Sequence, residues 1–359
     1  MKVVVYAIAK NEEAFVERWM RSLGEADQVV VTDTGSTDHT VERLKASGAT
    51  VYQEKIEPWR FDTARNRSLA HVPQETAICV CTDLDEVLTP GWRKKLEKAW
   101  RPGTQRASYW YNWSHLADGS PGVRFLYGKI HARKGYHWAY PVHEYIVKNQ
   151  PGAEQQVFVE GMTLDHYPDP QKSRSNYLPL LERAVKDEPA CERMWYYLGR
   201  EYSFNGRWIE CKRALSTYLH LPTARWKEER AAAMRLIAAS YWNLQNIVQA
   251  YVWYYRAIAE VPGMRDAYVD CALMAYALKD WPQVFFLVEE ALQITERSAS
   301  FINESKAWDY TLDDLGALAC QALGMKTKAC IHAQNALQLQ PDDPRLQENL
   351  RILKEWENT

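Results

Sequence analysis

The sequence predicts an α/β domain followed by an all-α domain, and three observations lead to that prediction. In residues 1–170, short runs of β-branched and apolar residues alternate with segments of helical periodicity, as in parallel βαβ units. A polar break with two prolines, Tyr167-Pro168-Asp169-Pro170, then interrupts the pattern, because proline continues neither a helix nor a central strand. Beyond this break, apolar residues recur with the period of a helical repeat. We therefore predict two domains, 1–170 and 171–359.

The first domain has the pattern of strands that are covered on both faces. The predicted strands are Lys2–Ala9, Gln28–Thr32, Thr50–Gln53 and Ala77–Thr82, and the predicted helices between them are Glu12–Leu23, Asp38–Ser47 and Thr63–Ala70. The strand sequences are almost continuously apolar, which is typical of parallel strands buried under helices. From Tyr109 to about Val159 the sequence becomes aromatic and strand-rich, which predicts further strands.

The second domain is predicted to be a tetratricopeptide-like solenoid. Small residues that let paired helices approach alternate with large residues that fill the gaps between pairs, and Ala257 and Ala291 are separated by one full period of that repeat. A generic α-solenoid is the alternative. The successive copies are Trp195, Leu198, Gly199, Tyr202, Cys211, Leu215, Tyr218 and Pro222; Met234, Ile237, Ala238, Tyr241, Ala250, Tyr254, Ala257 and Pro262; Tyr268, Cys271, Ala272, Ala275, Val284, Val288 and Ala291; and a looser Ala329, Ala333, Ala336 and Pro341.

Composition places the chain among globular proteins. Apolar residues make up 47% of the 359 residues, so sizeable cores can form. The formal net charge of -2, with acidic and basic residues balanced in both halves, argues against a general polyanion binder. The first residues lack the pattern of a signal peptide, and no apolar stretch is long enough to span a bilayer. Seven scattered cysteines indicate reduced thiols, so we expect a cytoplasmic protein.

The strongest chemical signal is Asp83-Leu84-Asp85, which directly follows the predicted strand Ala77–Thr82. Ligands bind at the carboxyl ends of parallel strands, and carboxylates crowded there attract a divalent cation. Oxygen ligands beside a diphosphate favour Mg²⁺ or Mn²⁺. The alternative is a polar strand end that caps the next helix, and this spacing alone does not decide between the two.

Two further polar segments are candidates for binding a nucleotide. Asp33 opens the segment Asp33-Thr34-Gly35-Ser36-Thr37-Asp38 after the second strand, and its carboxylate can accept the N–H of a pyrimidine base. Ser36 or Asp38 can cap the helix that follows. Arg65, in the helix start Phe61-Asp62-Thr63-Ala64-Arg65-Asn66, can bind a base or a diphosphate through charge-assisted bonds. An exposed helix arginine is the default interpretation of Arg65 by itself.

Histidine and glutamate side chains, the common acid/base types, occur late in the first domain. They lie in Tyr140-Pro141-Val142-His143-Glu144 and in Leu164-Asp165-His166-Tyr167. A single histidine is more often structural than catalytic, so these segments add support only in combination with the others.

Taken in order, these segments resemble a family-2 glycosyltransferase with the GT-A fold, a Rossmann-like nucleotide-diphospho-sugar transferase domain with a mainly parallel sheet. DTGSTD follows the second strand, FDTARN opens a helix, and TDLDE ends a strand. The later VHE and His-Tyr segments resemble one branch more narrowly, which includes the sublancin-type peptide S-glycosyltransferases with their appended tetratricopeptide-like helices. The resemblance covers 1–170 closely and 171–359 more diffusely.

The resemblance implies roles for individual positions. For the donor, it implies that Ala7, Ala9 and Glu12 line the nucleoside pocket, that Asp33 binds the uracil edge, and that Arg65 and Asn66 lie beside base and diphosphate. For the metal, it implies that Asp83 holds ribose or a metal-bound water and that Asp85 and His166 bind the metal. It also implies that Glu144 is the general base or instead braces His143. One departure is Thr34, since many family members have a second aspartate there, and the identity of the donor base is correspondingly less defined.

The implied reaction is a metal-dependent, inverting transfer from a UDP-sugar or another nucleotide-sugar to a macromolecule. The sublancin-type branch favours a polypeptide side chain as acceptor, with modified DNA or a surface glycan as alternatives. The basic runs Arg93-Lys94-Lys95 and Arg133-Lys134 are interpreted as solvated surface rather than a DNA site. A non-catalytic adaptor that binds a protein partner through the repeats is the competing function, and the repeats are also a candidate surface for homo-oligomer formation.

Overall fold

The structure is a computed structural model that describes residues 1–116, 118–169 and 177–358. The chain divides into two compact units, which we call unit 1 (Met1–Ala184) and unit 2 (Val185–Thr359). The predicted boundary between residues 170 and 171 lies outside the described residues. No helix in the described ranges is both long and apolar enough to cross a membrane.

A large sheet organises unit 1. Its strands and those of a second, small sheet are β1 Val3–Ala9, β2 Gln28–Asp33, β3 Thr50–Gln53, β4 Ile78–Cys81, β5 Glu86–Leu88, β6 Arg106–Asn112, β7 Arg124–Ala132, β8 Tyr136–Ala139, β9 Tyr145–Lys148 and β10 Gln156–His166. The 8-stranded sheet has the order β3-β2-β1-β4-β7-β6-β10-β5, and β8 pairs only with β9 in the 2-stranded sheet.

The sheet is parallel over its first half and mixed beyond it. Strand β1 runs parallel to β2 and β4, and β2 runs parallel to β3. Strand β7 is antiparallel to both β4 and β6, whereas β10 is parallel to β6 and antiparallel to β5. The parallel half confirms the predicted βαβ pattern, and its strand ends meet at one edge, where the polar segments follow β1, β2 and β4.

Helices cover the sheet on both faces. They are α1 Val16–Ser22, α2 Thr40–Ala46, α3 Phe61–His71 and α4 Trp92–Ala99. Alternate residues of β1 enter different cores: Val3 and Val5 pack with Trp19 of α1 in one, whereas Val4 and Tyr6 pack with Leu69 of α3 in the other. Successive strand residues point to opposite faces, which explains why the whole of β1 is apolar.

The remainder of the described chain is helical. Its helices are α5 Tyr177–Asp187, α6 Glu192–Phe204, α7 Trp208–His220, α8 Lys227–Asn243, α9 Ile247–Glu260, α10 Arg265–Ala277, α11 Trp281–Leu292, α12 Thr311–Ala322, α13 Lys326–Leu339 and α14 Pro344–Glu357. Helices α6 to α13 pack as four consecutive pairs, and each pair contacts the next. This arrangement confirms the predicted tetratricopeptide-like solenoid.

Glycines permit the close approach within two of these pairs. A Cβ on Gly199 of α6 would lie 2.3 Å from Cγ of Leu215 in α7. A similarly close approach occurs in the fourth pair, where a Cβ on Gly316 of α12 would lie 2.9 Å from the ring of His332 in α13. Such distances are shorter than real Cβ contacts, so helix packing explains both glycines.

A longer connection, residues 293–310, separates α11 from α12 and includes a 3₁₀ turn, Ser305–Ala307. Glu304 bonds to the buried Arg235 at 2.6 Å, and Lys306 bonds to Asp270 at 2.7 Å. Arg235 also bonds to Asp270 at 2.7 Å, so this connection is tied to both α8 and α10. The insertion breaks the regular period, which explains why the fourth repeat is looser in sequence.

Candidate functional site

The loop after β2 is held by the carboxylate of Asp33. Its Oδ1 accepts hydrogen bonds from the backbone N–H groups of Gly35 and Ser36, both at 3.1 Å, and its Oδ2 accepts from the Ser36 hydroxyl. Asp33 is fully buried. Gly35 adopts a φ of 108°, a conformation that favours glycine. The carboxylate therefore shapes the turn that closes the end of β2.

The ends of β1 and β2 are tied together by short polar contacts. The carbonyl of Ala9 accepts the N–H of Thr34 at 2.9 Å, and the N–H of Asn11 donates to the Ser36 hydroxyl at 2.9 Å. Glu12 is buried, and its N–H donates to Thr40 Oγ1 at 2.8 Å. The predicted pocket segment from Ala7 to Glu12 and the Asp33 loop thus form one continuous rim.

Helix α3 attaches to the same rim through Ser68, whose hydroxyl donates to the carbonyl of Ala7 at 2.7 Å. Asn66 faces a different partner, because its side chain bonds both the N–H and the carbonyl of Trp138, each at 2.8 Å. Asn66 therefore docks β8 onto α3.

Arg65 of α3 is the central cation of the strand-end site. Its guanidinium donates to Oε1 of Glu144 at 2.5 Å and to Oδ1 of Asp83 at 2.8 Å. It also contacts Cys81 Sγ at 3.4 Å and lies 4.9 Å from the ring centroid of Trp138. The side chain is only 6% exposed, so Arg65 is a buried pairing residue rather than an exposed helix arginine.

A second buried cation, Lys129 of β7, completes the pairing of Asp83. Its Nζ lies 2.9 Å from Oδ2 of Asp83 and 3.0 Å from Oε1 of Glu86. Glu86 further accepts the hydroxyl of Tyr111 at 2.9 Å and the N–H of Asp83 at 2.8 Å. Both oxygens of Asp83 are therefore held by cations.

The charges in this cluster shift one another's titration. Burial by itself raises the pKa of Asp83, but the charges of Arg65 and Lys129 outweigh it and hold that pKa well below its usual range. Burial lowers the pKa of Lys129, but Asp83 and Glu86 raise it well above the usual value. Burial raises the pKa of Glu86, and the charge of Asp83 adds to this effect. Asp83 thus remains a carboxylate and Lys129 an ammonium group.

Glu144 reaches Arg65 from a segment with unusual backbone geometry. Tyr140 and His143 have φ values of 80° and 52°, in the left-handed region that non-glycine residues rarely occupy. The carbonyl of Pro141 accepts the N–H of Phe61 at 2.9 Å, which fixes the segment beside the start of α3. Glu144 is held against Arg65, and its predicted role as the general base stays a prediction.

Asp85 points to a different partner from Asp83. Its Oδ2 lies 3.4 Å from Nε2 of His166, and the two side chains are 15% and 9% exposed. The Nδ1 of His166 donates to the carbonyl of Trp113 at 3.1 Å. That bond fixes the tautomer that leaves Nε2 directed at the carboxylate. Burial lowers the pKa of His166, but the hydrogen bond to Asp85 and the negative charge of Asp85 outweigh burial and raise that pKa.

The predicted metal ligands Asp83, Asp85 and His166 are therefore only partly brought together. In the described part of the chain, no group of three or more His, Cys, Asp and Glu side chains is arranged to hold a metal. Asp83 is engaged by cations, whereas Asp85 and His166 form an adjacent oxygen–nitrogen pair. A divalent cation that keeps waters and diphosphate oxygens needs only one or two protein ligands, so the Asp85–His166 pair fits such an ion and Asp83 does not.

Sequence reasoning missed Lys129 and Trp113 as site residues. Lys129 is one of three consecutive buried residues, with Ile130 and His131, in the strand Arg124–Ala132, and a buried lysine in a strand needs a carboxylate partner. That signal was available. Trp113 carries no comparable signal, because its position beside His166 depends on the pairing of β6 with β10.

The arginine of each basic run is bound within the protein, whereas Lys94 and Lys134 are exposed. Arg93 pairs with Asp27 at 3.0 Å and with Glu97 at 2.9 Å, and Arg133 donates to the carbonyl of Val72 at 2.9 Å. These contacts support the interpretation of both runs as surface structure rather than as a DNA site.

Residues 4–109 match the family model described as glycosyl transferase family 2. The match contains Asp33, Arg65, Asp83 and Asp85, so it confirms the family-level resemblance for this part of unit 1. It does not extend to the narrower resemblance to sublancin-type enzymes.

Solved structures that are similar to the chain at low sequence identity include the Cut9–Hcn1 assembly of APC/C, MamA protein and yeast Tom70. For the Cut9–Hcn1 assembly of APC/C, the identity is 15%, the TM-score is 0.39, and the match covers 51% of this chain and 33% of that chain. For MamA protein, the identity is 17%, the TM-score is 0.37, and the match covers 46% of this chain and 82% of that chain. For yeast Tom70, the identity is 10%, the TM-score is 0.39, and the match covers 53% of this chain and 37% of that chain. TM-scores this low carry no argument about fold or function.

Proposed function

We propose that this chain, whose residues 4–109 match the glycosyl transferase family 2 model, is a metal-dependent, inverting glycosyltransferase. Its donor is a UDP-sugar or a related nucleotide-sugar, and its acceptor is a macromolecule. The observation that carries the proposal is the paired arrangement at the strand ends: Asp85 lies against His166, while Asp83 is neutralised by Arg65 and Lys129.

The metal proposal rests on Asp85 and His166. A carboxylate oxygen and an imidazole nitrogen suit Mn²⁺, and a carboxylate with diphosphate oxygens suits Mg²⁺. A cation held there would neutralise charge on the leaving diphosphate. Because both oxygens of Asp83 are bound by cations, we assign Asp83 to the donor pocket, where it keeps Arg65 and Lys129 in place.

Donor recognition is proposed for the rim formed by Ala7, Ala9, Glu12 and the Asp33 loop. Asp33 holds the turn through Gly35 and Ser36, so its effect on nucleotide binding includes the shape of that turn. Thr34 donates its hydroxyl to the carbonyl of Ala9 at 3.1 Å, so the hydroxyl that replaces the family's second aspartate ties β2 to β1. We infer that nucleotide preference depends on this rim.

We propose that Glu144 takes the proton from the acceptor and that it also holds Arg65 in place. The two roles predict different kinetics. Glu144→Gln keeps a hydrogen-bond acceptor for Arg65 but removes the base, so a base role predicts a fall in turnover with unchanged UDP binding. A purely positioning role predicts weaker UDP binding together with the fall in turnover.

A polypeptide side chain is the acceptor we favour, and a surface glycan or modified DNA are the alternatives. The packed helix pairs of unit 2 form an extended repeat surface of the kind that binds macromolecules.

The apolar residues Val248, Val252 and Tyr255 on α9 are 71%, 37% and 39% exposed. They form a candidate surface for self-association, which sedimentation of a Val248→Glu variant tests.

All seven cysteines are free and buried, which supports the cytoplasmic assignment.

The experiment that tests the function uses the purified full chain with Mn²⁺ and a panel of UDP-sugars. Calorimetry measures UDP binding, and a coupled assay measures slow UDP release by donor hydrolysis. We expect UDP binding and release from one or a few donors. Absence of both, with GDP- and TDP-sugars also inactive, would contradict the enzyme proposal and favour the adaptor function.

A further inference from the structure

Trp113 covers His166 at the candidate metal pair. The two rings stack with centroids 4.6 Å apart and an interplanar angle of 26°. His166 is 8% exposed, whereas Trp113 is 45% exposed. The indole therefore covers one face of the imidazole and separates that face from solvent.

Strand register explains why these two residues meet. Asp165 of β10 pairs with Asn112 of β6 in a parallel ladder, so His166, the last residue of β10, lies beside Trp113, the first residue after β6. The side chain of Asn112 also bonds Oδ1 of Asp165 at 2.6 Å, and the N–H of Trp113 bonds to the carbonyl of Val123 at 2.8 Å. Both neighbours of the stacked pair are thus anchored, and Trp113 is held at the end of a fixed hairpin.

The same residue contacts the imidazole in two ways. Its carbonyl accepts Nδ1–H of His166 at 3.1 Å, and its indole packs on the face of the ring. The hydrogen bond selects the tautomer, and the stacking restricts rotation of the ring about its side-chain bonds. Together they direct Nε2 at Oδ2 of Asp85, 3.4 Å away.

We propose that Trp113 is a positioning residue that fixes His166 as a metal ligand, an inference that rests on the proposed function. It acts through His166 and contributes no atom of its own to the metal. A substitution at Trp113 keeps the backbone carbonyl that bonds His166 and removes only the stacked ring, and loss of an aromatic pair of this kind changes an equilibrium about 2- to 10-fold. Loss of the indole should therefore weaken metal binding even though the two ligands remain.

The probe is Mn²⁺ in the presence of UDP, followed by electron paramagnetic resonance of free Mn²⁺ on the full chain. Trp113→Ala should weaken Mn²⁺ binding about 2- to 10-fold, whereas Trp113→Phe, which keeps an aromatic face, should restore most of the affinity. Leu116→Ala is the matched control, since Leu116 is a 56% exposed apolar residue of the same hairpin, and it should bind Mn²⁺ as the unchanged protein does. Trp113→Leu replaces the alanine variant if circular dichroism shows that the latter does not fold.

The outcomes separate this inference from the proposed function. Asp85→Asn and His166→Asn are measured alongside, and both should abolish Mn²⁺ binding. If they bind Mn²⁺ normally, the proposed metal site is wrong. If they lose Mn²⁺ while Trp113→Ala or Trp113→Leu retains full affinity, the metal site stands and the positioning role of Trp113 is contradicted.

Discussion

The ammonium group of Lys129 lies 2.9 Å from Oδ2 of Asp83, where β7 runs antiparallel beside β4. Lys129 is 5% exposed and Asp83 is 32% exposed, so one partner of this ion pair is buried and the other is partly open to solvent. Loss of this ion pair should therefore change both the stability of the sheet and the charge at the candidate site.

Lys129→Met should destabilise unit 1, because it leaves Asp83 with one cation and the buried Glu86 with none. Breaking a buried pair usually costs about 3–5 kcal/mol, and we expect about 3 kcal/mol because Asp83 retains partial access to water. Urea unfolding of the two proteins measures the difference. The double variant Lys129→Met with Glu86→Gln should recover part of the loss, and a loss below about 1 kcal/mol in the single variant would argue against a structural role for the pair.

Arg65→Lys should impair UDP binding although it keeps the positive charge. The guanidinium bonds Glu144 and Asp83 through different nitrogens, and a single ammonium group does not reproduce this fork. We expect the dissociation constant for UDP, measured by calorimetry, to rise at least tenfold, which corresponds to a loss of about 1.4 kcal/mol of binding free energy. Arg67→Lys, at a neighbouring position of α3 that is 64% exposed, is the control and should bind UDP normally. Equal affinities for all three proteins would remove Arg65 from the donor site.

Gly199→Ala should destabilise the helical repeats without changing donor hydrolysis. The added methyl would meet Leu215 at 2.3 Å from Cγ, and overpacking of this kind costs about 1–3 kcal/mol. Thermal unfolding followed by circular dichroism measures the effect. The double variant Gly199→Ala with Leu215→Ala should relieve the clash, although the loss of the Leu215 side chain destabilises the repeats in its own right. If Gly199→Ala unfolds at the same temperature as the unchanged protein, the close helix approach at this position is wrong.

The sequence predicted the parts of the fold that depend on local periodicity. The apolar runs placed each bound of β1, β2, β3 and β4 within one residue of the observed bound. The small-large pattern also placed the paired helices of unit 2. The mixed half of the sheet was not predicted in detail, because the order β4-β7-β6-β10 depends on pairing between distant strands and leaves no periodic signal.

The candidate site was predicted in its residues but not in its partners. Asp83 and Asp85 are separated by a single residue, yet one pairs with Arg65 and Lys129 and the other with His166. The turn after β4 sends the two carboxylates to different partners, and spacing along the chain does not specify that divergence. Lys129 reaches the site only because β7 lies beside β4.

The most direct test of the central claim is Mn²⁺-dependent UDP release from a UDP-sugar, compared between the unchanged chain and Asp85→Asn. Asp118→Asn, a change at an exposed aspartate of the β6–β7 hairpin, serves as the control. We predict that Mn²⁺ stimulates release by the unchanged chain and by the control, and that Asp85→Asn loses at least tenfold of that rate, or about 1.4 kcal/mol of barrier stabilisation. Equal Mn²⁺-dependent rates for Asp85→Asn and the unchanged chain would contradict the claim.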